Sequence, residues 1–294
     1  MKITGITIIK NAIKNDYPIV EAIKSILPVV DEMIVSVGDS EDDTEALIRD
    51  ISSEKIKIIH SVWDKSIRTG GAVLAVETNK VLDAVDNDSD WIFYIQGDEV
   101  MPEQYVDTVR NACSECLHDK KVDGLLFHYL HFYGTYDYVG NSRKWYNCET
   151  RVIRNDKTIR SYRDAQGFRR GKEKIRVAQI PAFIFHYGWV KNPVNMKIKQ
   201  KNVVGLWNPD DHSVEAFQHT EDYFDYSGFD AIKRFSGKHP EVMKDRISRK
   251  NWELELDENK IRMKSSYRFL HWFEKITGKR LFTFSNHRVI RKIK

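Results

Sequence analysis

Trp91-Ile92-Phe93-Tyr94-Ile95-Gln96-Gly97-Asp98-Glu99-Val100 decides how this 294-residue chain is read. Its apolar first half fits a buried strand, which Gly97-Asp98-Glu99 ends abruptly before Pro102 opens a helix toward Leu117. A buried strand that delivers adjacent carboxylates to its exposed end concentrates negative charge there, which is tolerable mainly where a cation sits. Mg²⁺ or Mn²⁺ suits such a place, because it takes one or two protein carboxylates and fills its shell with water and phosphate oxygens. On this segment alone, the alternative that Asp98 and Glu99 only start a turn and cap the next helix stands equally.

Upstream, apolar runs alternate with amphipathic helical patterns. Strands are predicted over Ile3 to Ile9, Glu32 to Val37 and Ile56 to Ser61. Between them lie a helix capped by Asp16, with Ile19, Ala22, Ile23, Ile26 and Leu27 on one face and Pro28 stopping it, and a second through Ala46, Leu47 and Ile51. A further helix from Gly71 to Ala84 precedes the Trp91 strand, and Gly124 to His131 is the next strand after it. This alternation predicts an α/β, Rossmann-like, mostly parallel mixed sheet flanked by helices. Ligands bind such sheets at the carboxyl ends of the strands, the edge on which Asp39, Asp42, Arg68 and the Gly97-Asp98-Glu99 turn fall. After Pro193 the pattern changes to charged, aromatic, helix-rich sequence: Met196 to Leu206, Glu221 to Phe235, Glu241 to Asn251 and Tyr267 to Thr277. The expected division is therefore a catalytic domain over 1–192 and a helical, basic extension over 193–294.

Composition narrows the classes. Hydrophobic residues at 41% and charged residues at 31% describe a soluble chain, with no run of about 18 apolar residues to span a bilayer. The start, Met1-Lys2-Ile3-Thr4, lacks a leader pattern, so a cytoplasmic location is expected, with the inner membrane face as an alternative. Cys113, Cys116 and Cys148 give an odd count and no zinc spacing, and read as reduced thiols. His128 and His131, three apart on a strand, point to opposite faces. From Lys260 onward there are eleven Lys or Arg against one acid, Glu274, which calls for an anionic partner.

With its strand-end turn, the first two thirds resembles a family 2 glycosyltransferase of GT-A fold, in the subgroup of bacterial cell-envelope polysaccharide synthesis. The resemblance puts Gln96-Gly97-Asp98 in the place of that family's Asp-x-Asp turn and implies a divalent ion, Mn²⁺ or Mg²⁺, held by Asp98 with Glu99 beside it. Gln96 departs from the pattern, an amide where the first acid belongs, and is expected to reach a ribose hydroxyl. Val37-Gly38-Asp39-Ser40-Glu41-Asp42 departs from the family's nucleobase loop, leaving Asp39 and Asp42 as donor candidates. Arg68-Thr69-Gly70-Gly71 looks like the stretch near the donor, where a guanidinium meets diphosphate. Ser161 to Arg169 resembles the acceptor-side loop, and within it Asp164 is expected as the general base of an inverting transfer. Ile184-Phe185-His186-Tyr187-Gly188-Trp189 supplies His186 as a late metal ligand, with Tyr187 and Trp189 stacking on the acceptor sugar.

The partners implied are a nucleotide-sugar donor and a saccharide or lipid-linked acceptor, with no nucleic acid. In the last helix Phe269, Trp272, Phe273 and Ile276 share one face. Packing on the catalytic domain is the preferred reading of that face, and peripheral contact with an anionic membrane the alternative. Two rival functions are weighed. A sugar-nucleotide nucleotidyltransferase needs a Gly-rich loop after the first strand, where Lys10-Asn11-Ala12-Ile13-Lys14-Asn15 stands instead. A noncatalytic nucleotide-sugar or polyanion-binding module would follow if Gln96 disables the metal site.

Overall fold

A computed structural model describes residues 1–294. The order along the chain is β1 (Ile3–Ile9), α1 (Ile19–Ile26), β2 (Glu32–Val37), α2 (Thr44–Arg49), β3 (Ile56–His60), α3 (Ala72–Ala84), β4 (Trp91–Tyr94), β5 (Glu99–Val100) and α4 (Val106–Cys116). It continues with β6 (Gly124–Gly134), β7 (Tyr138–Gly140), β8 (Cys148–Arg154), β9 (Ile159–Tyr162), β10 (Gly167–Arg170) and β11 (Glu173–Val190). The remainder comprises α5 (Pro193–Trp207), α6 (Asp211–Gln218), β12 (Ile232–Arg234), α7 (Lys244–Ser248), α8 (Ser265–Thr277) and β13 (His287–Lys292).

The fold is α/β. The main sheet runs β3-β2-β1-β4-β8-β6-β11, with β3, β2, β1 and β4 parallel to one another. β8 is antiparallel to both of its neighbours, and β6 and β11 run parallel to each other. Strand alternation explains why β1 and β4 are buried throughout. Ile3, Trp91 and Phe93 enter one core with α1 and α4, whereas Ile6, Ile8, Ile92 and Tyr94 enter the opposite core with α3. Helices thus cover both faces, the arrangement that continuous apolar strands require.

Three local expectations are corrected. Asp16 does not cap α1, whose N-cap is Pro18 without a side-chain bond; Asp16 instead sits in a left-handed turn at φ 50° and accepts from Lys191 and Arg246. Glu221 to Phe235 is not a helix. Its aromatics face a satellite core as irregular chain, with Tyr226 and Phe229 buried, and it ends in β12, which pairs with β7. The basic C-terminus forms β13, parallel to β11 at Ile175–Gln179, so the extension returns to the sheet. On the C-terminal side of residue 192, α5 lies over the carboxyl edge of the strands and contributes to the cleft described next.

Candidate active site

The carboxyl ends of β1 and β4, the end of β11 and the inner side of α5 enclose a cleft of about 900 Å³. That is ample room for a small-molecule ligand. Six of the sequence-derived candidates line it: Arg68, Gln96, Asp98, Asp164, His186 and Trp189. They come from segments up to 121 residues apart in sequence, Arg68 to Trp189, and the sheet brings them together.

The centre is Asp98. Its backbone carbonyl accepts from the Tyr187 amide at 2.8 Å, and β5 pairs with β11 at Val100–Phe185 and Glu99–His186, which locks the turn beside His186. The Asp98 Oδ1 lies 3.7 Å from His186 Nε2, and Lys199 of α5 brings its Nζ to 3.3 Å from Oδ2. Burial by itself would raise the Asp98 pKa; the His186 ring and the ammonium groups of Lys199 and Lys191 outweigh it and hold the carboxyl at about 2. Gly188 makes this approach possible, since a Cβ there would stand 2.6 Å from Asp98 Oδ2 and 2.7 Å from His186 Cε1.

The ring state of His186 follows from its neighbours. His131 Nε2 lies 2.8 Å from the Tyr146 carbonyl, which only accepts, so His131 carries its proton on Nε2. Burial pushes the His131 pKa well down and keeps the ring neutral, which leaves its Nδ1 as an acceptor. The His186 Nδ1, 3.3 Å away, must therefore donate. Burial also lowers the His186 pKa, against the pull of Asp98. Its Nε2 faces the Asp98 carboxylate, and with the ring neutral this nitrogen and carboxylate together suit a shared cation. The imidazole held by its second nitrogen is the usual support of a metal-ligating histidine. Two protein ligands fit Mg²⁺ or Mn²⁺, which fill the rest of their shell from water and substrate phosphates; the chain has no group of three or more His, Cys, Asp or Glu placed to hold a metal ion.

Four candidates are placed elsewhere. Glu99 is turned into the sheet, fully buried, where Arg151 Nη2 and Nε each donate to one of its oxygens at 2.7 Å and Tyr129 Oη donates at 2.9 Å. Its lone pairs are spent there, so it is not available as a metal ligand. Tyr187 is buried with its ring stacked on Phe132 and its hydroxyl 2.8 Å from His239 Nδ1, so it does not meet an acceptor sugar. Asp42 accepts from the amides of Lys14 and Thr44 and from the Thr44 hydroxyl, closing the turn before α2. Asp39 is engaged by Lys10 Nζ at 2.7 Å and by the Trp63 amide at 3.1 Å. Burial opposes its ionisation, but these donors hold its pKa low. Neither of these two acids lines the cleft.

The remaining candidates are tied into one frame. Gln96 Nε2 donates to Ala165 O at 3.2 Å, and Arg151 Nη1 donates to Gln166 O at 2.8 Å, so the strand end and the Glu99 partner both pin the loop carrying Asp164. Arg163 and Ala165, on either side of Asp164, hold positive φ values of 56° and 58°. Arg68 pairs with Asp211 and donates to Gly205 O, joining the cleft rim to the C-terminal end of α5.

Sequence reasoning missed Lys199, Tyr17 and Trp63. Lys199 stands on α5 and is held in the cleft by Gly188 O at 3.0 Å and by the Tyr17 ring at 4.6 Å. Trp63 packs against Gly38 on the cleft wall, and its buried Nε1–H has no partner.

No protein-family model matches the sequence, and no curated protein matches it. Among solved structures, the chain is similar to glucosyl-3-phosphoglycerate synthase from Mycobacterium tuberculosis in complex with Mn²⁺, UDP and phosphoglyceric acid, at 20% identity over 44% of this chain and 43% of that one, TM-score 0.31. It is also similar to S. aureus TarS, at 14% identity over 74% of this chain and 42% of that one, TM-score 0.38. The chain therefore spans less than half the length of either protein. Likenesses this slight carry no weight for activity, and function is read from the cleft.

Proposed function

We propose that this chain is a glycosyltransferase that takes a sugar from a nucleoside-diphosphate-sugar at the Asp98 cleft, with Mn²⁺ or Mg²⁺ as cofactor. The observation that carries the reading is His186 Nε2 facing the Asp98 carboxylate, 3.7 Å apart, with the Lys199 ammonium next to them. Asp98 and His186 would hold the ion, which when bound offsets charge building on the leaving diphosphate. Lys199 and Arg68 add positive charge for phosphate oxygens, and Gln96 supplies a polar contact for the ribose.

Also lining the cleft, Trp189 offers its ring to a sugar face and Asp164 accepts the proton of the acceptor hydroxyl. As that oxygen bonds to the anomeric carbon, the bond from that carbon to the diphosphate breaks and its electron pair leaves with the diphosphate. Attack from the face opposite the leaving group inverts the anomeric centre. The acceptor is a saccharide, free or lipid-linked, in keeping with the cell-envelope resemblance.

The test is thermal-shift screening against UDP, GDP, CMP and dTDP, each with and without Mn²⁺. A ligand at about one hundred times its Kd stabilises by about 2.7 kcal/mol. A Mn²⁺-dependent shift with one nucleotide that vanishes in Asp98→Ala is expected. No shift with any nucleotide sinks the transferase reading.

A further inference from the structure

The last helix departs from its expected packing. α8 buries none of its residues. The inward side is polar in its anchoring: Glu274 pairs with Arg143 at 2.6 Å and with Arg280 at 3.6 Å, and Arg280 donates to the carbonyls of Arg143 and Trp145 at 2.8 and 2.6 Å. Phe273 is half-buried on that side. The apolar stripe Phe269, Trp272 and Ile276, spaced i, i+3, i+7, is left pointing outward at 60%, 57% and 65% exposure.

A second apolar feature follows immediately. Gly278 ends α8 in the left-handed region at φ 67°, and Leu281-Phe282 then project from the surface, Phe282 at 90% exposure. Phe282 is itself held at a positive φ of 53°, and Arg143 fastens both sides of it, donating to Leu281 O and, at 3.1 Å, to Thr283 Oγ1. Two apolar protrusions are thus positioned by a buried arginine rather than left loose. Exposed large side chains gathered in this way mark an interaction surface.

The rim settles the occupant. Lys264, Arg268, Lys275 and Lys279 are all exposed around the stripe, and the segment's one acid, Glu274, is consumed by Arg143 and Arg280. We infer that α8 and the Leu281-Phe282 protrusion dock this protein on an anionic lipid bilayer, the aromatics entering the headgroup boundary and the Lys/Arg rim meeting lipid phosphates. Aromatic and aliphatic side chains on one face with Lys and Arg beside them are what an interfacial helix needs. A second copy of the same face would bring like charges together, which disfavours self-pairing. Nucleic acid would meet the charges but leave Ile276 and Leu281 without a use. The inference does not rest on the transferase reading.

The test is co-sedimentation of the full chain with vesicles of equal phosphatidylglycerol and phosphatidylcholine, against vesicles of phosphatidylcholine alone. Binding to the anionic vesicles is expected, weakened by added salt, with an about ten-fold or greater loss of partition in the Phe269→Ser, Trp272→Ser, Phe282→Ser variant. These three side chains are exposed, so the variant should keep the wild-type melting temperature and nucleotide response, which separates loss of docking from loss of fold or site. No preference for anionic vesicles, or unchanged partition in the triple variant, overturns the inference. Concentration-dependent dimerisation of wild type that the same substitutions abolish, without vesicle binding, would assign the face to a second copy and likewise overturn it.

Discussion

Asp98 and Glu99 leave the same strand end one residue apart and serve opposite ends. Asp98 faces the cleft among positive and neutral nitrogen groups that leave it ionised and accessible. Glu99 faces the sheet interior, where Arg151 saturates it and neither side chain touches water. A carboxylate cluster in sequence is therefore not yet a cation site: the backbone decides which acid is offered and which is spent on structure.

The largest effect should come from breaking the structural half. Arg151→Leu strands the Glu99 charge in the sheet and frees the 163–166 loop, and should cost about 3–5 kcal/mol in chemical denaturation. Asp98→Asn should cost no more than about 2.5 kcal/mol, the linkage value of a carboxyl held at about 2 against 3.8. That stability is present above pH 3.8 and is lost as pH falls toward 2, so the two proteins should converge in acid. Equal losses from the two substitutions at neutral pH would erase the distinction.

A buried cation sharpens the contrast from the other sign. Lys191 is fully buried, and burial together with the Lys199 charge pushes its pKa from 10.5 down to about 7 although Asp16 pulls the other way. Between those values the unfolded chain binds a proton at this position that the folded chain does not, so stability rises with pH. The slope contributed is up to about 1.4 kcal/mol per pH unit. Lys191→Met should remove that contribution, seen as a flatter stability profile over the same range; an identical profile would show Lys191 to be charged in the fold. Smallest is Asp42→Ala, which should lower stability by about 1 kcal/mol through loss of its turn bonds and leave nucleotide affinity unchanged. A fall in affinity would return Asp42 to the cleft.

The core of the sheet was legible because apolar periodicity reports burial directly: Glu32–Val37 is predicted and found with the same bounds. Glu221 to Phe235 misled because its aromatics pack on a satellite core without helical backbone, and β13 was hidden because His287–Lys292 is an exposed edge rich in cations. In the site, a clue to the fate of Glu99 was available, since neighbours on an extended chain face opposite ways. The same rule failed at Tyr187 and Trp189, two apart, because β11 changes register between His186 and Trp189 and sends one ring into the core and the other into the cleft. Lys199 had no local signal. It is 101 residues from Asp98, and only the position of α5 over the sheet edge reveals it.

On the proposed function, Asp98 and His186 share a divalent ion that holds a nucleoside diphosphate. Isothermal titration of the nucleotide selected by thermal shift, with and without Mn²⁺, into wild type and Gly188→Ala tests it most directly, because that methyl would meet both Asp98 and His186 without removing either. Mn²⁺-dependent binding is expected in wild type, with an about ten-fold or greater loss in Gly188→Ala, on the scale of a displaced metal ligand's support. Equal affinity with and without Mn²⁺, or unaltered Mn²⁺-dependent affinity in the folded variant, would contradict it.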